Sequence, residues 1–375
     1  MVIFGCTLLG SVASIPNKIP EKIGDWLQSS AISTPSLVWI LILTIISLPS
    51  QTPLEFLSVS CLMGKCFSFT ALRNWCYRRS FANSGLRSTI TDLGDGTVMH
   101  CWVPKTHKEN KPTLLLVHGF GANAMWQWND LLGEYFISHF NIYVPDLLFF
   151  GDSVTTRPER TESFQAQCVM RVMEAHGVSR MILIGISYGG LVGYSLASQF
   201  PDAVERLVLC CAGVCLEEKD AREGQLKVWN SEEAESILLP QTPEKARELM
   251  QYSFFKPLKI MPSCFLRDFI DVMCTEYAEE KRELIRALHR DRNLSDLPKI
   301  SQPTLLIWGE HDQIFPLELG HRLKRHMGEN ALLVIIKNAG HAVIMEKPKE
   351  FYKHLKEFLV DSFPPKHRNE ISKID

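Results

Sequence analysis

The 375-residue sequence has no marked excess of charge of either sign, because 40 lysine and arginine residues face 42 aspartate and glutamate residues. The formal net charge is only −2, so the chain lacks the basic field that proteins use to bind nucleic acid. Internal repeats and low-complexity tracts are also missing. Since 46% of the residues are hydrophobic and 22% are charged, the composition predicts a globular protein with a sizeable core.

The sequence also lacks the common cofactor motifs. None of its 11 cysteines pairs with another at the two-residue spacing of a zinc knuckle or redox motif, and no glycine-rich phosphate loop is present. We therefore predict no metal and no organic cofactor. The scattered cysteines are interpreted as reduced, mostly buried thiols, which favours a reducing compartment such as the cytoplasm.

A continuous apolar run long enough to cross a bilayer is missing as well. Residues 37–48 are nearly all apolar but end at Pro49, whereas a spanning helix needs about 20 such residues. Residues 1–62 are predicted to be an N-terminal extension, either disordered or membrane-associated, and 63–87 a connecting segment. Met63 and Gly64 open an N-myristoylation pattern that would act only if translation began there, with Cys66 as a second lipid site.

From about residue 88 the sequence alternates between short apolar runs and amphipathic stretches of helical length. A turn at Asp95-Gly96 predicts a hairpin of two strands. Six further buried strands are predicted, at 113–117, 141–145, 181–185, 207–211, 304–308 and 331–336. This alternation predicts an α/β fold with a mainly parallel, eight-stranded sheet and helices on both faces.

One long interval interrupts the alternation after the sixth predicted strand. Residues 215–301 are charged and have helical periodicity, most clearly at 242–251 and 266–290. We predict a helical lid over the carboxyl ends of the strands, where open α/β sheets bind their ligands. The predicted core is then 88–214 together with 302–362, followed by a C-terminal tail at 363–375.

The strongest chemical signal surrounds Ser187. Gly185-Ile186-Ser187-Tyr188-Gly189 is a G-x-S-x-G sequence that directly follows a predicted strand and directly precedes a predicted helix. In that context the turn is a nucleophile elbow, in which flanking glycines let the backbone crowd closely while the serine hydroxyl projects above the sheet. We predict Ser187 as the nucleophile.

A serine hydroxyl needs a base and an orienting acid, and both follow later in the chain. Asp312 comes after the strand at 304–308, and His341 comes after the next strand. The order Ser, Asp, His is typical of α/β-hydrolase enzymes. We predict His341 as general base and Asp312 as orienting acid, with Glu310 as the alternative acid and His311 as a structural residue.

The loop after the strand at 113–117 is predicted to stabilise negative charge on the substrate. His118-Gly119-Phe120-Gly121 occupies the position of an oxyanion loop, and the backbone N–H groups of Phe120 and Tyr188 are the predicted donors. His118 itself is interpreted as a structural brace. The predicted substrate pocket comprises Gly119, Trp126, Phe149 and Phe150, with ordinary core packing as the alternative for the aromatic residues.

The motifs HGFG, PDLLFFGDS, GISYGG, WGEHD and NAGH together resemble the α/β-hydrolase superfamily over about residues 88–360. The chain is similar to the lid-bearing branch that includes monoacylglycerol lipases, epoxide hydrolases and carbon–carbon bond hydrolases, and most of all to plant members. This resemblance implies Ser187, Asp312 and His341 as the triad. Epoxide hydrolases of the branch carry an aspartate at the elbow, so Ser187 argues against epoxide opening.

These features predict a serine esterase that cleaves a small apolar or lipid-like carboxylic ester through an acyl-enzyme. A ligand-binding receptor with little turnover could use the same scaffold, and a carbon–carbon hydrolase or lyase could use the same triad. The predicted partners are a small-molecule ester and, through the N-terminal region, a membrane.

Overall fold

The computed structural model describes residues 68–222, 226, 228, 233–258, 261–288 and 292–360. The predictions for residues 1–62, for the lipid motif at Met63, Gly64 and Cys66, and for the tail at 363–375 lie outside these residues. Among the helices of the described part, none combines the length and the apolar character needed to span a bilayer.

The described residues form one sheet whose strands run in the order β1-β2-β4-β3-β6-β7-β8-β9, with β5 paired to β2. The strands are β1 Leu86–Asp92, β2 Thr97–Pro104, β3 Thr113–Val117, β4 Asn141–Pro145, β5 Val154–Thr155, β6 Met181–Ile186, β7 Val204–Cys210, β8 Thr304–Gly309 and β9 Ala331–Ile336. β2 is antiparallel to β1, β4 and β5. The other neighbouring strands, in the order β4-β3-β6-β7-β8-β9, pair in parallel. The predicted mainly parallel, eight-stranded sheet is confirmed, and the two-residue β5 is an addition.

Both faces of the sheet are covered, as the unbroken apolar runs of its central strands require. All five residues of β3 are buried. Leu115 and Val117 pack into one hydrophobic cluster, while Leu114 and Leu116 pack into another. Successive side chains of a strand point to opposite faces, so this division places one core on each side of the sheet.

The helices cover these two faces and form the segment that is predicted to be the lid. They are α1 Phe69–Asn83, α2 Ala124–Trp128, α3 Glu134–His139, α4 Glu162–Ala175, α5 Tyr188–Gln199, α6 Glu218–Arg222, α7 Glu233–Leu238, α8 Pro243–Ser253, α9 Ser263–Met273, α10 Ala278–Ala287, α11 Leu317–Met327, α12 Val343–Glu346 and α13 Pro348–Val360. Side-chain caps begin several of them: the Thr161 hydroxyl accepts from the Phe164 N–H at α4, and the Thr242 hydroxyl accepts from the Lys245 N–H at α8.

Helices α6 to α10 lie between β7 and β8, where the sequence predicts the lid. The segment of helical periodicity at 266–290 contains the end of α9 and all of α10, which are separate helices. Tyr277 is the N-cap residue of α10, and its left-handed backbone conformation at φ 51° interrupts the helical path between α9 and α10. The buried Lys281 ammonium donates to the carbonyl of Met273 at 3.0 Å and so caps the end of α9.

The connecting segment predicted at 63–87 contains a helix that the sequence analysis does not predict. Helix α1 is capped by Ser68, whose hydroxyl accepts from the Ala71 N–H. Its Tyr77 and Phe81 side chains are buried, and the Phe81 ring lies 5.1 Å from the ring of Trp102 on β2. β1 then begins at Leu86, slightly before the predicted start of the core.

Charged side chains hold the lid against the core at three points. Arg292 pairs with Glu162, the first residue of α4. Arg322 of α11 binds Asp220 of α6 at 2.6 Å, and Arg160 binds Glu283 of α10 at 2.6 Å. Ion pairs with Arg160, Glu162 and Arg322 therefore hold the predicted lid to the core.

Candidate active site

Ser187 occupies the sharp turn between β6 and α5. It has φ 53° and ψ −122°, an unfavourable conformation for a residue with a Cβ. The Ser187 N–H donates to the carbonyl of Cys210 at 2.8 Å, which ties the turn to β7. A Cβ on Gly189 would lie 2.3 Å from the carbonyl oxygen of His118, so this glycine lets α5 approach the oxyanion loop closely.

The structure brings Ser187, His341 and Asp312 into one hydrogen-bonded chain. The Nε2 atom of His341 lies 2.9 Å from the Ser187 hydroxyl oxygen. Its Nδ1 atom lies 2.9 Å from Oδ2 of Asp312. A carboxylate only accepts hydrogen bonds, so Nδ1 carries the proton and Nε2 is left to accept one from the serine.

Asp312 is held as a buried, fully bonded carboxylate. Its side chain is 0% exposed, and its Oδ1 atom accepts from the N–H groups of Ile314 and Phe315, each at 2.9 Å. Glu310, the alternative acid, instead accepts from the Asn338 N–H at 3.0 Å on the surface. The adjacent His311 ring stacks on Phe255 with a centroid distance of 4.4 Å.

The predicted oxyanion loop lies directly against the elbow. A Cβ on Gly119 would lie 3.0 Å from the Cβ of Ser187, and the Phe120 ring meets the Tyr188 ring edge-on at 6.0 Å. The assignment of the Phe120 and Tyr188 N–H groups as oxyanion donors remains a prediction.

His118 braces this loop, as its sequence context predicts. Its Nδ1 atom donates to the Gly119 carbonyl at 2.7 Å, and its Nε2 atom accepts from the Leu147 N–H at 2.9 Å. Burial lowers the pKa of His118, and this outweighs the opposing effect of Asp146. The side chain is therefore a neutral structural bridge rather than a base.

The predicted pocket aromatics divide into two groups. The Phe150 ring packs edge-on against Phe120 at 5.0 Å, close to the elbow. Phe149 lies against Tyr277 of the lid at 6.0 Å. Trp126 also faces the lid, with its ring 5.7 Å from that of Phe269 on α9. Their role in substrate binding stays a prediction, since these contacts also serve packing.

Glu346 is a site residue that the sequence analysis missed. Its carboxylate accepts from the N–H of Gly340 at 2.6 Å and from the N–H of Phe255 at 3.0 Å. It thereby joins the loop that carries His341 to the lid segment after α8. No local sequence signal marks this role, because the contact with residue 255 depends on how the lid folds back.

A second chain of serine, histidine and aspartate exists away from the elbow. The Ser88 hydroxyl lies 2.8 Å from Nε2 of His100, and Nδ1 of His100 lies 2.8 Å from Oδ2 of Asp146. Ser88 lies within the β1–β2 ladder rather than on a strained turn. The other Asp146 oxygen accepts from the Ala124 N–H at 2.7 Å, so this chain links β1, β2 and α2.

The Cys211 thiol lies beside the His341–Asp312 pair, and one donor atom from each of the three residues falls within 4.8 Å of the others. Such donor types can bind zinc. Burial raises the pKa of the Cys211 thiol well above its usual value, and His341 and Asp312 already bind each other. The arrangement therefore favours a proton-transfer chain over a metal site.

Residues 112–348 match the family model described as alpha/beta hydrolase fold. The chain belongs to the α/β-hydrolase family. This match and the order of the strands confirm the resemblance and the fold inferred from the sequence motifs.

This α/β hydrolase is similar to two curated proteins in sequence and to a solved structure in fold. Monoacylglycerol lipase ABHD6 of Homo sapiens is 27% identical over 69% of this chain and 78% of that protein. Epoxide hydrolase 3 of Xenopus tropicalis is 27% identical over 74% of this chain and 78% of that protein. A hydrolase from Pseudomonas aeruginosa PA01 superposes with a TM-score of 0.60 at 22% identity, covering 73% and 99% of the two chains, which shows a shared fold.

Proposed function

We propose that this α/β hydrolase is a serine esterase that cleaves carboxylic esters through an acyl-enzyme on Ser187. The observation that carries the proposal is the hydrogen-bonded chain from Ser187 through His341 to the buried Asp312, with 2.9 Å at each link. This is the geometry that a serine nucleophile, its base and an orienting acid require.

In the acylation step the Ser187 oxygen forms a bond to the ester carbonyl carbon while its proton passes to Nε2 of His341. The Asp312 carboxylate stabilises the resulting imidazolium. The carbonyl electron pair moves onto the carbonyl oxygen, which the N–H groups of Phe120 and Tyr188 would bind. When the tetrahedral intermediate collapses, the bond to the alcohol oxygen breaks and His341 returns the proton to that oxygen.

Deacylation repeats these steps with water in place of the serine. The water oxygen attacks the acyl carbon while His341 removes a proton from the water. The bond to Ser187 then breaks, and His341 protonates the serine oxygen. The products are an alcohol and a carboxylic acid, and the enzyme returns to its starting protonation state.

An apolar or lipid-like ester is the proposed substrate class. The aromatic rings of Phe150 and Tyr188 both pack edge-on against Phe120 of the loop beside the elbow, and this apolar packing supports an apolar substrate group. The relative named monoacylglycerol lipase supports a lipid-like ester. The serine at position 187 supports acyl transfer rather than the epoxide chemistry named for another relative.

The test compares Ser187→Ala and His341→Ala with the unmodified protein on p-nitrophenyl esters of increasing acyl length. Each variant is expected to lose at least about 10³-fold in kcat. Ser88→Ala is the matched control, since Ser88 has the same hydrogen-bond connectivity, and its turnover and fluorophosphonate labelling should persist. Full turnover in Ser187→Ala would refute the proposal, and a single turnover by the unmodified protein would favour a receptor.

A further inference from the structure

The outward side of helix α1 carries large apolar side chains in contact with solvent. Phe69 is 40% exposed, Leu72 is 44% exposed and Trp75 is 57% exposed. Cys76 and Arg79 are also exposed. Spacings of three and four residues place these five side chains on one side of a helix, and we call this surface the α1 face.

The α1 face carries one cation, Arg79, beside its apolar side chains. Helix α1 contains Arg73, Arg78 and Arg79 and has no acidic residue. Two carboxylates contact the helix from outside: Asp152 pairs with Arg78 at 3.2 Å, and Asp268 accepts from the Thr70 N–H at 2.7 Å. Arg79 lies over the Trp75 ring at 5.8 Å, so a guanidinium borders the most exposed aromatic ring.

This combination points to one kind of partner. We propose that the α1 face binds an anionic phospholipid surface, with Leu72 and Trp75 entering the interface and Arg79 binding lipid phosphates. Exposed apolar patches mark protein or membrane contacts. Tryptophan favours the boundary between headgroups and acyl chains, and an adjoining cation complements the negative charge of the lipid.

Contacts of α1 with lid helix α9 and with Trp126 connect this surface to the lid and to the predicted pocket. The Phe69 ring lies 4.7 Å from Phe265 of α9, and the Thr70 N–H bond to Asp268 reaches the same lid helix. The Oδ1 atom of the Asn74 side chain accepts from Nε1 of Trp126. Docking would therefore place the junction of lid and core against the lipid. The idea that a lipid-like ester passes directly from the membrane to Ser187 rests on the proposed function. The binding of vesicles by the α1 face does not depend on it.

The first test measures binding of the full chain to phosphatidylcholine vesicles with and without phosphatidylserine. The double variant Leu72→Gln, Trp75→Gln is expected to lower the apparent vesicle affinity at least about tenfold. Arg79→Gln should lower it mainly for vesicles that contain phosphatidylserine, and the difference should shrink at high salt. Leu332→Gln, at an exposed site on β9 at the opposite edge of the sheet from β1, is the matched control and should bind normally.

A second measurement reports on the α1 face itself. Trypsin cleavage after Arg73 and Arg78 releases Cys76 in a peptide of residues 74–78, so mass spectrometry can follow its alkylation by iodoacetamide. Vesicles are expected to slow this alkylation at least about tenfold. All variants should keep normal hydrolysis of p-nitrophenyl acetate, which separates a failure of docking from a failure of the active site.

Three outcomes would overturn the inference. Cys76 alkylation at an unchanged rate while the protein sediments with vesicles would place the membrane contact elsewhere in the chain. Protection of Cys76 in a dimer without vesicles would identify a second copy as the partner. Protection in a monomer without vesicles would mean that another part of the same chain covers the α1 face.

Discussion

At the scale of single residues, the Asp312 side chain determines which nitrogen of His341 carries a proton. Its Oδ1 atom already accepts from the Ile314 and Phe315 N–H groups, and Oδ2 faces Nδ1 of His341. In an Asp312→Asn variant the amide oxygen would keep the backbone contacts, and the NH₂ group would face His341. The ring would then expose a lone pair at Nδ1 and a proton at Nε2, the wrong tautomer for a base.

We therefore expect Asp312→Asn to lower kcat by about 10⁴-fold with little change in folding stability. Steady-state kinetics on p-nitrophenyl acetate, with urea unfolding in parallel, measure the two effects. Glu310→Gln is the matched control, because its amide oxygen can still accept from the Asn338 N–H. If Glu310→Gln lost as much activity as Asp312→Asn, the assignment of the acid would be wrong.

The candidate site residues differ in how far the sequence reveals them. Ser187, Asp312 and His341 each follow a strand of a parallel sheet, and the carboxyl ends of such strands meet at one edge. Sequence order is then enough to predict that they lie close together. Glu346 contacts the backbone of residue 255 across the lid. That contact depends on how the chain turns after α8, and the helical periodicity of the lid does not determine this path.

At the scale of elements, the loop carrying His341 packs directly on the end of lid helix α8. A Cβ on Gly340 would lie 2.7 Å from the Ser253 carbonyl oxygen and 2.8 Å from the Phe255 nitrogen. The Ala342 N–H donates to the same Ser253 oxygen at 2.8 Å. Because these neighbours are backbone atoms, they cannot move aside without shifting the lid or His341.

A Gly340→Ala substitution is thus expected to lower the free energy of unfolding by about 1–3 kcal/mol. It should also lower kcat by up to about a hundredfold, since a displaced base transfers protons poorly. Gly133→Ala is the control, because a Cβ at Gly133 meets no atom within 4 Å and its φ is −70°. Urea unfolding and steady-state kinetics should separate the variants, and equal behaviour would contradict the described contact.

At the scale of the whole molecule, helix α1 is part of the hydrolase core as well as the carrier of the α1 face. Its buried Phe81 belongs to the same hydrophobic cluster as Trp102 of β2 and Ile142 of β4. The sequence predicts a core that starts only at residue 88, because α1 shows little contrast in polarity between its two sides. Trp75 and Leu72 on the outside are as apolar as Tyr77 and Phe81 on the inside, and periodicity detects a helix only where the sides differ.

This position of α1 predicts that substitutions on its buried side lower the free energy of unfolding much more than substitutions on its exposed side. Phe81→Ala would empty a fully buried site and is expected to lower the free energy of unfolding by about 3–5 kcal/mol. Leu72→Ala, at a site 44% exposed on the same helix, should change it by less than about 0.5 kcal/mol. Urea denaturation followed by circular dichroism measures both. If Phe81→Ala unfolded like the unmodified chain, α1 would be a peripheral helix, and docking through it could not fix the position of the lid.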